Sequence, residues 1–556
     1  MPNLNDLPDL LVSGEPVIAC ESPHQEKVKF LTYVLQHCAN PMGVDCYLWN
    51  LGQRVLTRVT ERAETKSLIY TPVTDYHPPD VSTEEIAEQF QILQFLQDFP
   101  QSGIFIVENL LPWLSGKPAT FSGDSKYLWL SDYLSSQILN LATSLREFSQ
   151  STGQVKRLLL LGAAATLSPE LEEAIPVVVT PLPSVLEIGN HLERFLPRLA
   201  SDRGIAISLN QQERDRLSRA AAGLTLSEIE SGLRLIATQQ GSLTRHSSTL
   251  MRDYKIAKLK RFNIQFVAEP DVELGGLDLL QEEFTKFARL LEPEAQKYNL
   301  SIPKGVIMVG PPGTGKSYGA RRCASRMGVP LILADWGALI GITPAESEAN
   351  LRRLLMLAES CAPVVLYFDD MDKGLAGFDS NADGGVARRL TGKLLTWMND
   401  RTAPVLVLAS VNRLNYLPPE LTRAGRFDYL YFVDLPNAGE RKDVFVKHLA
   451  KYDSRFVAGD AYSFEQWMSV LKRTHKCSNS EVATIVSKAA TKAYCEGHPG
   501  RIDVADLLSE RSTINPLALR DAERITAMRR NAQRVSLPAS SPDSSVYAQP
   551  QVDDIY

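Results

Sequence analysis

The sequence predicts two α/β domains in tandem, each a parallel sheet covered by helices on both faces and followed by an all-helical segment. Three observations predict this. Short, continuously apolar runs alternate with amphipathic stretches, the pattern of strands buried on both faces of a parallel sheet. The alternation occurs twice along 556 residues, a length too great for one hydrophobic core. The second series also opens on a glycine-rich loop set between a strand and a helix, the arrangement of a phosphate-binding sheet.

The first unit begins with PVIACESP (16–23), an apolar strand that breaks at Ser-Pro. GIFIVEN (103–109), RLLLLGA (157–163) and VVVTPLP (177–183) read as further strands, and the α/β domain is expected over 1–183. From 184 to 248 the pattern is helical, as in SVLEIGNHLERFL and TLSEIESGLRLIA, which reads as a lid for the first unit. A basic helical linker is expected over 249–265, where the cations of RDYKIAKLKRF read as a solvated face rather than a ligand site. The second unit repeats the plan over 266–437 with KGVIMVG (304–310), PLILAD (330–335), VVLYFDD (364–370), PVLVLAS (404–410) and YLYFVDLP (429–436). A helical lid over 438–512 and a C-terminal helix over 513–534 complete it. The tail over 535–556, rich in Ser, Pro and Asp, is expected to be disordered because it cannot bury enough apolar surface.

The two units share landmarks: LSPEL (167–171) precedes the last strand of the first, and LPPEL (417–421) that of the second. This reads as a duplicated module. The copies differ where chemistry would sit. After its opening strand the first has SPHQE (22–26), which holds neither glycines nor the lysine of a phosphate loop. It also has Glu108-Asn109 where the second has paired aspartates.

Composition excludes several classes. Hydrophobic residues make up 44% and charged residues 22%, with a net charge of −6, so no electrostatic case exists for nucleic acid or a membrane surface as partner. Seven scattered cysteines without a CxxC pair fit a reducing compartment better than a disulfide framework or a zinc site. The N-terminus lacks a signal pattern and no apolar run reaches a membrane span, so a cytoplasmic setting is expected.

GPPGTGKS (310–317) follows a strand and opens a helix. Gly310, Pro311, Pro312, Gly313, Thr314 and Gly315 would wrap the backbone close to phosphate oxygens of ATP, with Tyr318 on the following turn. Lys316 would reach the β- and γ-phosphates, and Ser317 would join the shell of Mg2+. About fifty residues on, LYFDDMD (366–372) ends a strand in two acids. Asp369 would hold Mg2+ through water and Asp370 would orient or deprotonate the attacking water, with helix N-capping as the alternative role of either acid. Asn412, at the end of the strand in LASVNR (408–413), could bond both the γ-phosphate and that water. Arg423 and Arg426, in TRAGRFD (422–428), are arginine-finger candidates whose alternative is a surface salt bridge.

Together GPPGTGKS, LYFDDMD, VNR and PPELTRAGRFDYLYFVDLP resemble the AAA family of ring-forming ATPases over about 266–512. The resemblance implies that Leu274 and Gly275, in ELGGLD, pack on adenine, and that the helix of SNSEVATIVSKA (478–489) touches the nucleotide. It also implies that Arg423 and Arg426 act across a subunit interface, in a homo-oligomer that is commonly a hexameric ring. VIACESPHQEKVKFL, YLWNLG, GIFIVENL, SPELEEAIPVVVTPLPSVLEI and LTGKLLTWMND look like one subfamily, encoded by a hypothetical reading frame in algal plastids and cyanobacteria. That similarity runs to about residue 534 and implies a cytoplasmic or plastid-stromal setting and a tie to photosynthetic or inorganic-carbon regulation.

Two departures from the family stand out. Asp370 replaces the usual glutamate, a shorter side chain that points to a slow ATPase. Rubisco activases carry an aspartate at what looks like the same place, which implies that turnover need not be abolished. In the segment resembling a pore loop, Thr343-Pro344-Ala345 replaces the aromatic that grips a threaded chain. Two functions fit: an ATP-driven ring that remodels a protein client, or a nucleotide-gated scaffold with negligible turnover.

Overall fold

The computed structural model describes residues 3–62, 67–77, 90–114, 125–165, 167–260, 264–267, 275–341, 344–375, 385–413, 418–423, 425–457 and 459–548. The chain divides into two compact units, residues 1–255 with 340–360, and residues 256–339 with 361–556.

The first unit contains a seven-stranded sheet built from β1 (Val17–Glu21), β2 (Asp45–Asn50), β3 (Thr57–Glu61), β4 (Leu68–Pro72), β5 (Gly103–Glu108), β6 (Lys156–Gly162) and β7 (Val177–Val179). Their order is β4-β3-β2-β5-β6-β1-β7. The five strands from β2 to β7 are parallel, and the hairpin β3–β4 adds antiparallel on β2. Side chains alternate faces along a strand. Tyr47, Trp49, Phe105, Leu158 and Leu160 accordingly enter one core, and Cys46, Leu48, Ile104, Ile106 and Leu159 enter another on the opposite face. Both faces are dry, which is why these strands read as unbroken apolar runs.

The lid of this unit comprises Val185–Arg203, Gln211–Ala221 and Leu226–Gln240, with the two-residue strands β8 (Ala206–Ile207) and β9 (Ser242–Leu243) pairing between them. Within the stretch expected as a helical linker over 249–265, the helix is present, but it packs into the lid. Ser247–Lys260 is a helix that buries Met251 in the lid core, and buried Lys255 donates to Ala222 O at 3.0 Å. A long cation can pass its stem through apolar surroundings and satisfy its head on a carbonyl, so charge alone does not reveal the burial of Lys255. Arg252, Lys258 and Lys260 keep some exposure.

The second sheet joins β10 (Ile264–Val267), β11 (Gly305–Val309), β12 (Leu331–Asp335), β13 (Val364–Asp369), β14 (Val405–Val411), β15 (Tyr429–Phe432) and β16 (Leu537–Pro538) in the order β10-β12-β13-β14-β11-β15-β16. Ranked along each module, the run β2-β5-β6-β1-β7 and the run β12-β13-β14-β11-β15 share one order, second, third, fourth, first, fifth. Each also carries an antiparallel strand on the same edge, β3 on β2 and β10 on β12. This shared topology is the structural form of the duplication. The second lid is built from helices Ala438–Leu449, Phe464–Arg473, Asn479–Cys495 and Val504–Ser512 around Trp467.

The disorder expected beyond 534 does not hold for residues 536–548. β16 pairs with β15, Ala539 is 1% exposed inside the sheet core, and Ser541 bonds Asp278 through both its N–H and its hydroxyl. Polar residues help order this segment because Ser540, Ser541 and Asp543 meet fixed partners, which composition cannot reveal. No described helix is long and apolar enough to cross a membrane.

Candidate nucleotide site

The glycines after β11 are required by their surroundings. A Cβ on Gly310 would lie 1.9 Å from Val433 O, and one on Gly313 (φ 80°) would lie 2.2 Å from Ser480 Oγ. Only glycine lets the loop pass between the sheet and the lid. The loop delivers Lys316 to the first turn of helix Lys316–Met327. There Lys316 is 6% exposed, and Nζ donates to Gly310 O and Pro311 O at 2.8 Å and to Asn412 Oδ1 at 2.9 Å. Burial pulls its pKa down to about 8, against the opposing pull of Asp370, Asp372 and Asp369.

β13 and β14 end beside that lysine. Ser317 Oγ lies 3.5 Å from both carboxylate oxygens of Asp369. Asp369 Oδ1 also accepts from the Tyr367 hydroxyl at 2.9 Å and from Ser410 Oγ at 2.8 Å. Asp370 has a left-handed backbone (φ 46°). Its Oδ1 accepts from Asn412 Nδ2 at 2.5 Å, and its Oδ2 is paired with Lys373. Asp372, 3% exposed, accepts the Asn412 N–H at 3.0 Å and so fixes the residue that bridges Lys316 to Asp370.

The lid closes on the same loop. Helix Asn479–Cys495 starts with a capping box, Ser478 to Glu481, and presents Asn479 Nδ2 to Thr314 O at 2.9 Å and Ser480 N–H to Gly313 O at 3.1 Å. Gly275 packs against Asp443 and Val444, while Glu440 Oε1 accepts the Leu277 N–H at 2.9 Å. The cleft so formed has a volume of about 1280 Å³ and is lined by Gly275, Pro312, Gly313, Gly315, Lys316, Ser317, Tyr318, Asp369, Asp370 and Asn412, among others.

The structure therefore brings together most of the residues singled out from sequence. Leu274 lies outside the described residues, as do Ile342 and Thr343 of the expected pore loop. Gly310, Pro311 and Thr314 sit behind the cleft wall rather than on it, with Thr314 Oγ1 donating to Pro311 O at 2.9 Å. Arg423 is exposed, Arg426 NH1 donates to Glu420 O at 2.6 Å, and neither lines the cleft. Sequence reasoning missed Tyr367, Ser410, Asp372 and Lys373. A serine one residue before the end of the buried run of β14 was the available signal for one of them.

The comparisons fall into place on this geometry. A family model, the ATPase family associated with various cellular activities (AAA), matches residues 306–435. A second, the SpoVK-like AAA ATPase second domain, matches residues 186–261, within the first module. The ycf46 AAA domain-containing protein of Guillardia theta is 30% identical over 403 residues, 72% of this chain and 76% of its own length. The chain belongs to the ycf46 family of AAA proteins. Other members of the family are similar at lower identity. The protein of Pyropia yezoensis is 29% identical over 67% of this chain and 74% of its own, and that of Gracilaria tenuistipitata var. liui 25% over 82% and 87%.

Proposed function

We propose that the second module hydrolyses ATP and that the chain works as a homo-oligomeric ring, commonly a hexamer, that remodels or regulates a protein client. Family membership supports nucleotide binding and ATPase chemistry in general. The observation that carries the reading is the chain Lys316–Asn412–Asp370 set beside Asp369 and Ser317 at one end of the sheet. In this reading Lys316 and the loop N–H groups hold phosphate oxygens. Ser317 and Asp369 form an oxygen-only set suited to Mg2+, which would supply charge neutralisation. Asp370 holds or deprotonates the lytic water, and Asn412 keeps that carboxylate and the lysine in register. Arg423 and Arg426 stand off the cleft, as groups that serve a neighbouring subunit would.

Turnover is expected to be slow for a reason beyond the shortened side chain. Both Asp370 oxygens already have partners, and these bonds fix the carboxylate's direction and compete with water for its lone pairs. The same observation favours a second reading, a nucleotide-gated scaffold with negligible turnover. A cytoplasmic or plastid-stromal setting, with a client in photosynthetic or inorganic-carbon regulation, follows from the sequence resemblance and belongs to this proposal.

The test compares binding with turnover. Asp370→Asn should bind one fluorescent ATP analogue per chain and retain it without hydrolysis, whereas Lys316→Ala should fail to bind. Equal binding by Lys316→Ala and wild type would defeat the assignment of the site.

A further inference from the structure

The loop after the first strand is where the two modules diverge most in sequence, yet the scaffold around it is the same. Lys27 is the first residue of the helix after β1, as Lys316 is of the helix after β11. The lysine read as missing from SPHQE is thus present directly after it. Glu108 ends β5 as Asp369 ends β13, and each is followed by a left-handed residue, Asn109 (φ 66°) and Asp370 (φ 46°). Ser227 and Ser480 are each the second residue of a lid helix that starts with a capping box.

What differs is the partner each group meets. In the second module the Ser480 N–H reaches the loop carbonyl of Gly313 at 3.1 Å. In the first, the Ser227 N–H donates to Glu26 Oε1 at 2.7 Å, and its hydroxyl donates to Gln25 O at 2.9 Å. Lys27 Nζ meets Glu108 Oε2 at 2.5 Å, where Lys316 has only neutral acceptors. Lys29 Nζ lies 3.3 Å from Glu26 Oε2 and 3.8 Å from Glu230 Oε1 on the lid helix. Glu26 is 7% exposed and Glu108 5% exposed, so these carboxylates are internal parts of the fold.

We propose that in the first module Glu26 and Glu108 stand in for the phosphates of a nucleotide, and that Glu26 holds its helical lid closed in every nucleotide state. Glu26 places a negative charge on the first-turn N–H groups of the lid helix, the position where an anionic ligand is otherwise favoured. Glu108 neutralises the lysine that would otherwise demand a phosphate. The first module is then a rigid body that does not cycle, and ligand-driven lid motion is confined to the second.

Hydrogen exchange on the full chain, with and without Mg2+-ATP, tests this. In wild type, peptides over 225–237 should exchange slowly and at one rate in both conditions. Glu26→Ala should speed that exchange by about tenfold or more, the factor set by a lost charge-assisted hydrogen bond, and leave 478–495 unchanged. Glu26→Gln, which keeps an acceptor and loses the charge, should speed it less. If Glu26→Ala loosens the whole unit, β5 and β6 included, Glu26→Gln decides: a lid exchanging at the wild-type rate overturns the proposal. Slowing of 225–237 by Mg2+-ATP in the Lys316→Ala chain would overturn it as well, because the first module would then be taking a ligand.

Discussion

Asp370 has two partners of different kinds. Asn412 is part-buried and held by Asp372, whereas Lys373 is 73% exposed at its side chain and can swing away. An exposed pair of this sort is worth about 0.2–1 kcal/mol. Lys373→Ala should therefore raise kcat by up to about five-fold with KM for ATP unchanged, measured by steady-state phosphate release. Lys316 makes a separate prediction. Its pKa falls from 10.5 to about 8 on folding, so between these values the unfolded chain binds more protons, and ligand-free stability rises with pH across that window. The melting temperature of wild type relative to Lys316→Met should increase from pH 8 to 10.5, by an amount equivalent to roughly 3 kcal/mol, and be flat below pH 7. Lys316, Ser317 and Asp369 were legible in the sequence because a contiguous motif defines them. Tyr367 was not, since it passes for an apolar strand residue. Its hydroxyl reaches Asp369 because residues two apart share a strand face.

Strands were the most legible elements, because burial on both faces leaves an unambiguous apolar run between polar breaks. The C-terminal segment was the least legible, for it is stabilised residue by residue. Phe432 O accepts the Ala539 N–H at 3.1 Å, Ala539 O accepts the Leu280 N–H at 3.1 Å, and Asp543 Oδ2 accepts the Ala438 N–H at 3.0 Å at the start of a lid helix. Tyr547 stacks on Phe464 of the lid with centroids 5.3 Å apart. The segment ties the sheet to its lid within the second unit. Truncation after Val535 removes these bonds at about 1 kcal/mol each and should lower the melting temperature of that unit by roughly 5–15 °C in a thermal shift assay. An unchanged transition would show that the segment contributes nothing. Helix starts were better marked, since Thr225 and Ser478 each carry a glutamate three residues on and both form the capping box.

At the scale of the molecule, duplication was visible from LSPEL and LPPEL, and the matching strand orders give it a physical basis. What sequence could not show is the cluster of Glu26, Lys27, Glu108 and Ser227 in the first copy, because these residues come together only through the fold. The second copy gathers Lys316, Ser317, Asp369, Asp370 and Asn412 around one cleft, whereas Arg423 and Arg426 lie off it, where fingers for a neighbouring subunit would stand. Activity should then depend on assembly. Steady-state ATPase of wild type beside Lys316→Ala, over a range of chain concentrations, tests the central claim most directly. The prediction is a turnover abolished by Lys316→Ala, with wild-type activity per chain rising as the oligomer forms. Wild-type turnover equal to that of Lys316→Ala at every concentration would contradict it and leave the scaffold.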